Sequence, residues 1–299
     1  MTFGAFNAVK ADLFAQLPVQ FHYTGEPTEW VRVTRPGQRL HSFLESPVFD
    51  DQGRLWLVDV PYGRIFRIGR DGKWTLVHAY DGEPHAIRPS GGGTYLVTDY
   101  RRGLLKYREG GKDFEVVCAG INSESFRGLS DLIIAPNGDA WFTDPGRSSL
   151  SDPTGRLFRR RASTGALDLV LANVPYPNGV ALSPDGRFVY LAATRANAVW
   201  RLLADAPDPV FPMAGTFIQL SGGLGPDGLA VDRAGRIAVA QGQAGRAYLF
   251  NALGDPLSVI HTPGGTWTTA CTFGEDDRAL FIVEAQSGAV YRAEIGSAE

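Results

Sequence analysis

The sequence predicts an all-β protein, a six-bladed β-propeller with about four antiparallel strands in each blade. Three observations lead there. A strand–turn–strand unit recurs six times, its copies start 40, 45, 48, 49 and 42 residues apart, and no long helical period follows residue 40. The copies are ESPVFDDQGRLWLVD from Glu45, HAIRPSGGGTYLVTD from His85, SDLIIAPNGDAWFTD from Ser130, NGVALSPDGRFVYLAA from Asn178, DGLAVDRAGRIAVAQ from Asp227 and TACTFGEDDRALFIVE from Thr269. Each joins two runs rich in Val, Ile, Leu, Tyr and Trp through a Gly turn, with Asp277 in place of that Gly in the sixth. Further strands are expected in GRIFRIG, GLLKYRE, GRLFRRR, NAVWRLL, GRAYLFN and GAVYRAE, which brings each period to about four. A two-sheet sandwich also explains many strands and turns, but it does not require six units of matched length. The propeller is expected over residues 39–299 as a single domain. Residues 1–38 form an N-terminal extension, read as a blade-closing strand with a short helix around Val9 to Leu17.

Composition narrows the function. The 299 residues carry a formal net charge of −3 and are 44% hydrophobic. That suits a buried core and argues against a basic nucleic-acid binder or an acidic disordered chain. The 36 Gly and 19 Pro fit a turn-rich fold. Nothing approaches a membrane-spanning apolar run, and MTFGAFNAVKADLFAQ lacks the parts of a secretory signal. The expectation is a soluble, cytoplasmic protein acting on a small molecule, with no nucleic-acid or membrane partner and its oligomeric state open. Cys118 and Cys271 have neither metal-ligand spacing nor the density of a disulfide framework. There is no G-x-S-x-G elbow, nucleotide-binding Gly loop or H-E-x-x-H.

Eight residues before each turn stands a polar residue: Glu45, His85, Ser130, Asn178, Asp227 and Thr269. One equivalent position per blade forms a ring at one mouth of the channel, where polar groups need water, a ligand or a metal. Two carboxylates, an amide oxygen and two hydroxyls suit Ca²⁺, Mg²⁺ or Mn²⁺; zinc would find a nitrogen donor only in His85. A water-filled mouth without metal is the alternative reading of the ring. Six residues after the turn, Asp59, Asp99 and Asp144 are expected near its rim.

ESPVFDDQGRLWLVD, YPNGVALSPDGRFVYLA and GPDGLAVDRAGRIAVA resemble three signature blades of the SMP-30/gluconolactonase/LRE family, a likeness running from about residue 40 to 295. Its marks are Glu-x-Pro in blade one, Pro-Asn-Gly in blade four and Pro-Asp-Gly in blade five. The resemblance implies a six-bladed propeller, hydrolysis of lactones and one divalent metal ion, with calcium placed ahead of Mn, Mg and Zn. It implies metal ligands at Glu45, Asn178 and Asp227. Two positions depart from the sugar-lactonase pattern: Ser130 stands where an Asn is usual and Gly128 where an Arg is, with Arg127 one residue off. The substrate implied is therefore not gluconolactone itself.

For the chemistry, Asp227 is the expected general base, with His85 the second candidate; a lone His is also commonly a packed or substrate-contacting residue. Ser130, Arg195, Thr269, Tyr176 and Trp267 are the expected substrate-binding residues, with Phe43, Tyr62 and Tyr100 as further wall. Arg159, Arg160 and Arg161 read as solvated surface, Trp56 and Trp141 as core between blades. Alternatives to a lactonase are an aryl-ester or phosphotriester hydrolase, a strictosidine-synthase-like enzyme, and a non-catalytic ligand-binding propeller.

Overall fold

The computed structural model describes residues 7–205 and 212–297. Six sheets follow one another around an axis, over residues 44–79, 84–118, 132–174, 177–219, 225–261 and 268–294. Their inner strands are Leu44–Phe49, Pro84–Gly91, Leu132–Ile134, Pro177–Leu182, Gly225–Val231 and Thr268–Phe273. Each packs against the next, and the last returns to the first, which closes the ring of a six-bladed β-propeller. The expected second and third strands are all present, in antiparallel register.

Local chemistry explains the hairpins. At the turn column Gly53, Gly93, Gly138, Gly186 and Gly235 have φ of 68, 70, 87, 69 and 84°, and Asp277 reaches 58° in the sixth blade. Glycine enters that region without a Cβ clash, and Asp is among the few side chains that tolerate it. At the other end of the hairpin the inner strand carries a β-bulge in five blades, between Glu45/Val48, Pro84/Ala86, Pro177/Val180, Pro226/Leu229 and Thr268/Ala270. In four blades the bulge takes in the polar ring position and in the first it follows directly after Glu45, where an extra residue re-aims the side chain.

The core consists of layers between blades. Trp56 and Tyr95 pack blade one on two, Phe142 and Leu104 pack three on two, and Trp141 with Leu191 packs three on four. Tyr190 with Leu229 joins four to five, Cys271 with Leu249 joins five to six, and Phe66 with Phe281 joins one to six. Trp56 and Trp141 are buried, as core residues should be. Arg159 is not solvated surface: it is buried beside Trp141, its guanidinium 2.7 Å from Asp139. Burial pushes the Cys271 thiol up to about 12. Ellman's reagent at pH 8 is therefore expected to leave Cys271 unmodified in the folded protein and to modify it only after denaturation; rapid labelling would show the layer between blades five and six to be open.

The N-terminal extension differs from the expectation at Val9 to Leu17. Instead of a helix there are two strands. Asn7–Lys10 runs parallel to Pro256–His261 as a fifth strand of blade five, and Asp12–Gln16 pairs antiparallel with Ala289–Glu294 as the outer strand of blade six. The helix of the extension lies later, at Glu29–Thr34, capped by the Thr28 hydroxyl, which accepts from the Val31 N–H at 3.3 Å. Trp30 and Val31 dock on Phe43, Val60 and Trp267 at the channel mouth. Among the described residues no helix is long and apolar enough to cross a membrane.

Candidate functional site

Asp59, Asp99 and Asp144 do not face the ring. They are fully buried latches on the segments entering the inner strands. Asp59 accepts from the Phe43 N–H at 2.8 Å, Asp99 from Glu83 at 2.8 Å, and Asp144 from Arg127 and Gly128 at 2.8 and 2.9 Å. Glu284 takes the same part in blade six, accepting from Trp267 at 2.9 Å. The latches hold the walls of a cavity of about 890 Å³ at the channel mouth.

On the floor of that cavity the structure brings together Glu45, His85, Ser130, Asn178 and Asp227. His85 Nδ1 lies 2.9 Å from Glu45 Oε2, the Ser130 hydroxyl donates to Asn178 Oδ1 at 2.9 Å, and Asn178 Nδ2 donates to Asp227 Oδ1 at 2.6 Å. The backbone explains why Gly follows both Asn178 and Asp227. A Cβ at Gly179 would meet the Asp227 carbonyl oxygen at 2.3 Å, and one at Gly228 would meet the Ala270 Cα at 2.8 Å. The inner strands approach too closely there for any side chain. Ser46, directly after Glu45, holds a φ of 56°, rare for a non-glycine residue, and its hydroxyl accepts from the Ile87 N–H at 3.0 Å.

Beneath the floor a second group closes the channel. Arg88 donates to Asp131 at 3.0 Å, and Asp131 also accepts from the Val180 and Leu132 N–H groups. Burial raises the Asp131 carboxyl above its ordinary range against the pull of Arg88. Thr269 belongs to this lower level: it lies outside the mouth cavity, and its hydroxyl donates to the Leu44 carbonyl at 2.8 Å.

The floor gathers two carboxylates and an imidazole in a buried setting. Burial and then the facing charge of Glu45 push the Asp227 carboxyl well above the carboxylate range, with Arg35 and Asn178 opposing them. Burial works against a charged His85, yet Glu45 and Glu83 outweigh it and its pKa is raised. Its Nε2 is buried without a hydrogen-bond partner. Among the described residues no three His, Cys, Asp or Glu side chains are arranged to hold a metal. The candidate set has two carboxylates and relies on the amide of Asn178 for its third donor. Asn178 Oδ1 keeps a second lone pair beyond the Ser130 bond, so two like-charged carboxylates and a neutral oxygen fit a hard divalent cation.

Other expected residues fall into two groups. Tyr176, Trp267, Phe43, Tyr100 and Arg195 line the mouth. Tyr62 does not; it stacks on Tyr23 at 3.9 Å and donates to the Leu40 carbonyl. Arg127 also turns away, donating to the Thr154 carbonyl. A Cβ at Gly128 would lie 2.3 Å from the Tyr100 ring, which fills that part of the wall, and the φ of 135° strains any side chain there. Ser130 is nine-tenths buried or more and orients Asn178. Ser130→Ala is therefore expected to weaken metal binding about three- to tenfold, the scale of one lost neutral hydrogen bond, measured by calorimetric titration of the chelated protein. An unchanged affinity would remove Ser130 from the metal site.

Sequence reasoning missed Trp30, Arg35, Glu83 and Arg147, all in the cavity wall. Trp30 and Arg35 come from the extension, whose only local signals are the Thr28 cap and the stop at Pro36 and Gly37.

The region described as SMP-30/Gluconolactonase/LRE-like matches residues 43–286. A protein named lactonase drp35 from Staphylococcus haemolyticus is 28% identical over 250 residues, 81% of this chain and 74% of its own. Among solved structures, a calcium-binding regucalcin from Agrobacterium tumefaciens superposes with a TM-score of 0.76 at 20% identity, covering 99% of this chain and 98% of its own. A gluconolactonase from Xanthomonas campestris gives a TM-score of 0.74 at 21% identity, over 85% and 86%. At those identities the two structures establish a shared fold.

Proposed function

Since the chain belongs to the SMP-30/gluconolactonase/LRE-like family, we propose that it is a divalent-metal-dependent lactonase of small-molecule catabolism. The observation that carries this reading is that Glu45, Asn178 and Asp227 line the floor of one mouth cavity, with Asn178 bonded to Asp227. The similarity to proteins named lactonase supports it.

Glu45, Asn178 and Asp227 would hold the cation, calcium first among the candidates. When bound, it supplies Lewis-acid polarisation of the lactone carbonyl and a countercharge for the developing oxyanion. The remaining work falls to side chains of the chain itself. Asp227 accepts at Oδ1 from Asn178, which leaves Oδ2 to take the proton of the attacking water. The water oxygen bonds to the acyl carbon, the ring C–O bond breaks, and the proton passes to the departing alkoxide. His85 holds Glu45 through Nδ1, so its role is to position that ligand, with proton transfer as the second assignment. Tyr176, Trp267 and Phe43 form the apolar wall against which the ring packs.

Ser130 and Gly128, with Tyr100 filling the space beside Gly128, favour a lactone other than gluconolactone. A pH-indicator assay across sugar lactones, aliphatic lactones, aryl esters and phosphotriesters tests the reaction class. Ring opening of a lactone other than gluconolactone, at a kcat/KM well above that of any aryl ester, is expected. Turnover of aryl esters or phosphotriesters with no lactone opened would overturn the proposal.

A further inference from the structure

Four arginines line the mouth; Arg101 is paired with Asp81 and Arg147 bonds to the Tyr100 hydroxyl, which leaves Arg35 and Arg195 as cations that hydrolysis of a neutral lactone does not require. Arg35, just after the helix Glu29–Thr34, lies with its guanidinium carbon 3.6 Å from the centre of the Trp267 ring and 4.8 Å from that of Phe43. Arg195, on the short turn Thr194–Ala196, stands over Tyr176 at 5.8 Å. Both line the one cavity. Among the described residues neither the part-buried Arg35 nor the exposed Arg195 has a carboxylate within ion-pair distance, although the half-buried Arg64 and Arg88 and the buried Arg156 all have an Asp.

Arg35 is only partly satisfied. One Nη1 contact reaches the Thr34 carbonyl at 2.8 Å, while Nε is buried with no partner. Burial lowers Arg35 from its ordinary value; Glu45 and Asp227 on the floor favour its charge, and the like charge of Arg195 opposes it. A divalent cation on the floor would neutralise those two carboxylates and leave the Arg35 guanidinium uncompensated. Of the remaining rim carboxylates, Glu83 is engaged by His85 and Arg101, with Glu29 a like charge beside it. Guanidinium groups beside aromatic rings in the wall of one cavity suit planar recognition of a carboxylate.

We propose that the lactone taken by this site carries a carboxylate, which Arg35 and Arg195 bind at the rim while the ester lies over Asn178 and Asp227. The identity of the reacting group rests on the lactonase reading; the anion site rests on the two arginines.

The test compares a five-membered lactone bearing a ring carboxylate with its primary amide, on the calcium-loaded full chain and on Arg195→Met. Calorimetry of glutarate against glutaramate runs alongside, so that anion binding is read without turnover. The carboxylated lactone is expected to exceed the amide at least tenfold in kcat/KM, chiefly through KM, and Arg195→Met to cut that ratio about tenfold or more. Glutarate is expected to bind at least tenfold more tightly than glutaramate, an advantage lost in the variant. Equal kcat/KM for the two lactones, or equal binding of the two acids, overturns the proposal. If neither lactone opens, the lactonase reading has failed for these rings and the calorimetric pair decides the anion site: a glutarate advantage lost in Arg195→Met upholds it, and equality overturns it.

Discussion

Asp227→Asn is expected to lower lactone turnover by about a thousandfold or more, the range for losing a positioned general base, and to weaken metal binding at least tenfold. The substitution keeps the volume of the side chain and a donor–acceptor group opposite Asn178, so the floor should hold its shape. It removes one of two buried, like-charged carboxylates, whose repulsion now raises the Asp227 pKa together with burial. In chelated protein the variant should therefore melt at a higher temperature than wild type. This opposition, less activity with more metal-free stability, is the mark of a functional charge placed at a structural cost. Thermal melts in excess chelator and kcat/KM measured side by side check it. Full activity in Asp227→Asn, or a lower melting temperature with unchanged metal affinity, would contradict the assignment.

Asp59→Ala is expected to destabilise the protein by about 3–5 kcal/mol, the cost of leaving a buried charge without its partner. Asp59 is fully buried. It accepts from the Phe43 N–H and from Arg64 Nε, each at 2.8 Å. Arg64 in turn donates to the carbonyls of Phe21 and His41, so the latch also fastens the N-terminal extension to blade one. Removing it leaves a buried guanidinium, an unsatisfied N–H and a loosened cavity wall at Phe43. The double variant Asp59→Leu with Arg64→Met should cost less than the single one, because neither charge remains. Urea unfolding of the three proteins checks this, and a double variant no more stable than Asp59→Ala would show that the latch acts through shape alone.

The fold was legible because its determinants repeat. The turn column, Gly in five blades and Asp277 in the sixth, and the polar residue eight positions earlier recur with each blade, and the structure puts those turns at positive φ and a bulge at or beside five ring positions. Glu45, Asn178 and Asp227 were legible for the same reason. Other parts carry no such local signal. Asp12–Gln16 completes blade six by pairing with Ala289–Glu294, a partner at the far end of the chain, so its own short pattern does not reveal the strand. Arg35 reaches the mouth only because Trp30 and Val31 dock the extension there. The direction of side chains was harder to read than their level. Thr269 and Asp59 occupy the predicted positions in their hairpins, but one faces the neighbouring backbone of Leu44 and the other the loop at Phe43.

Lactone opening is expected to require a divalent cation held by Glu45, Asn178 and Asp227. Calcium titration of chelator-treated protein, with lactone opening followed at each addition, tests it most directly. Turnover is expected to be negligible in excess chelator and to recover saturably at one calcium per chain, a recovery absent in Glu45→Gln at the same concentrations. Full lactone turnover in excess chelator, with Glu45→Gln as active as wild type, would contradict it.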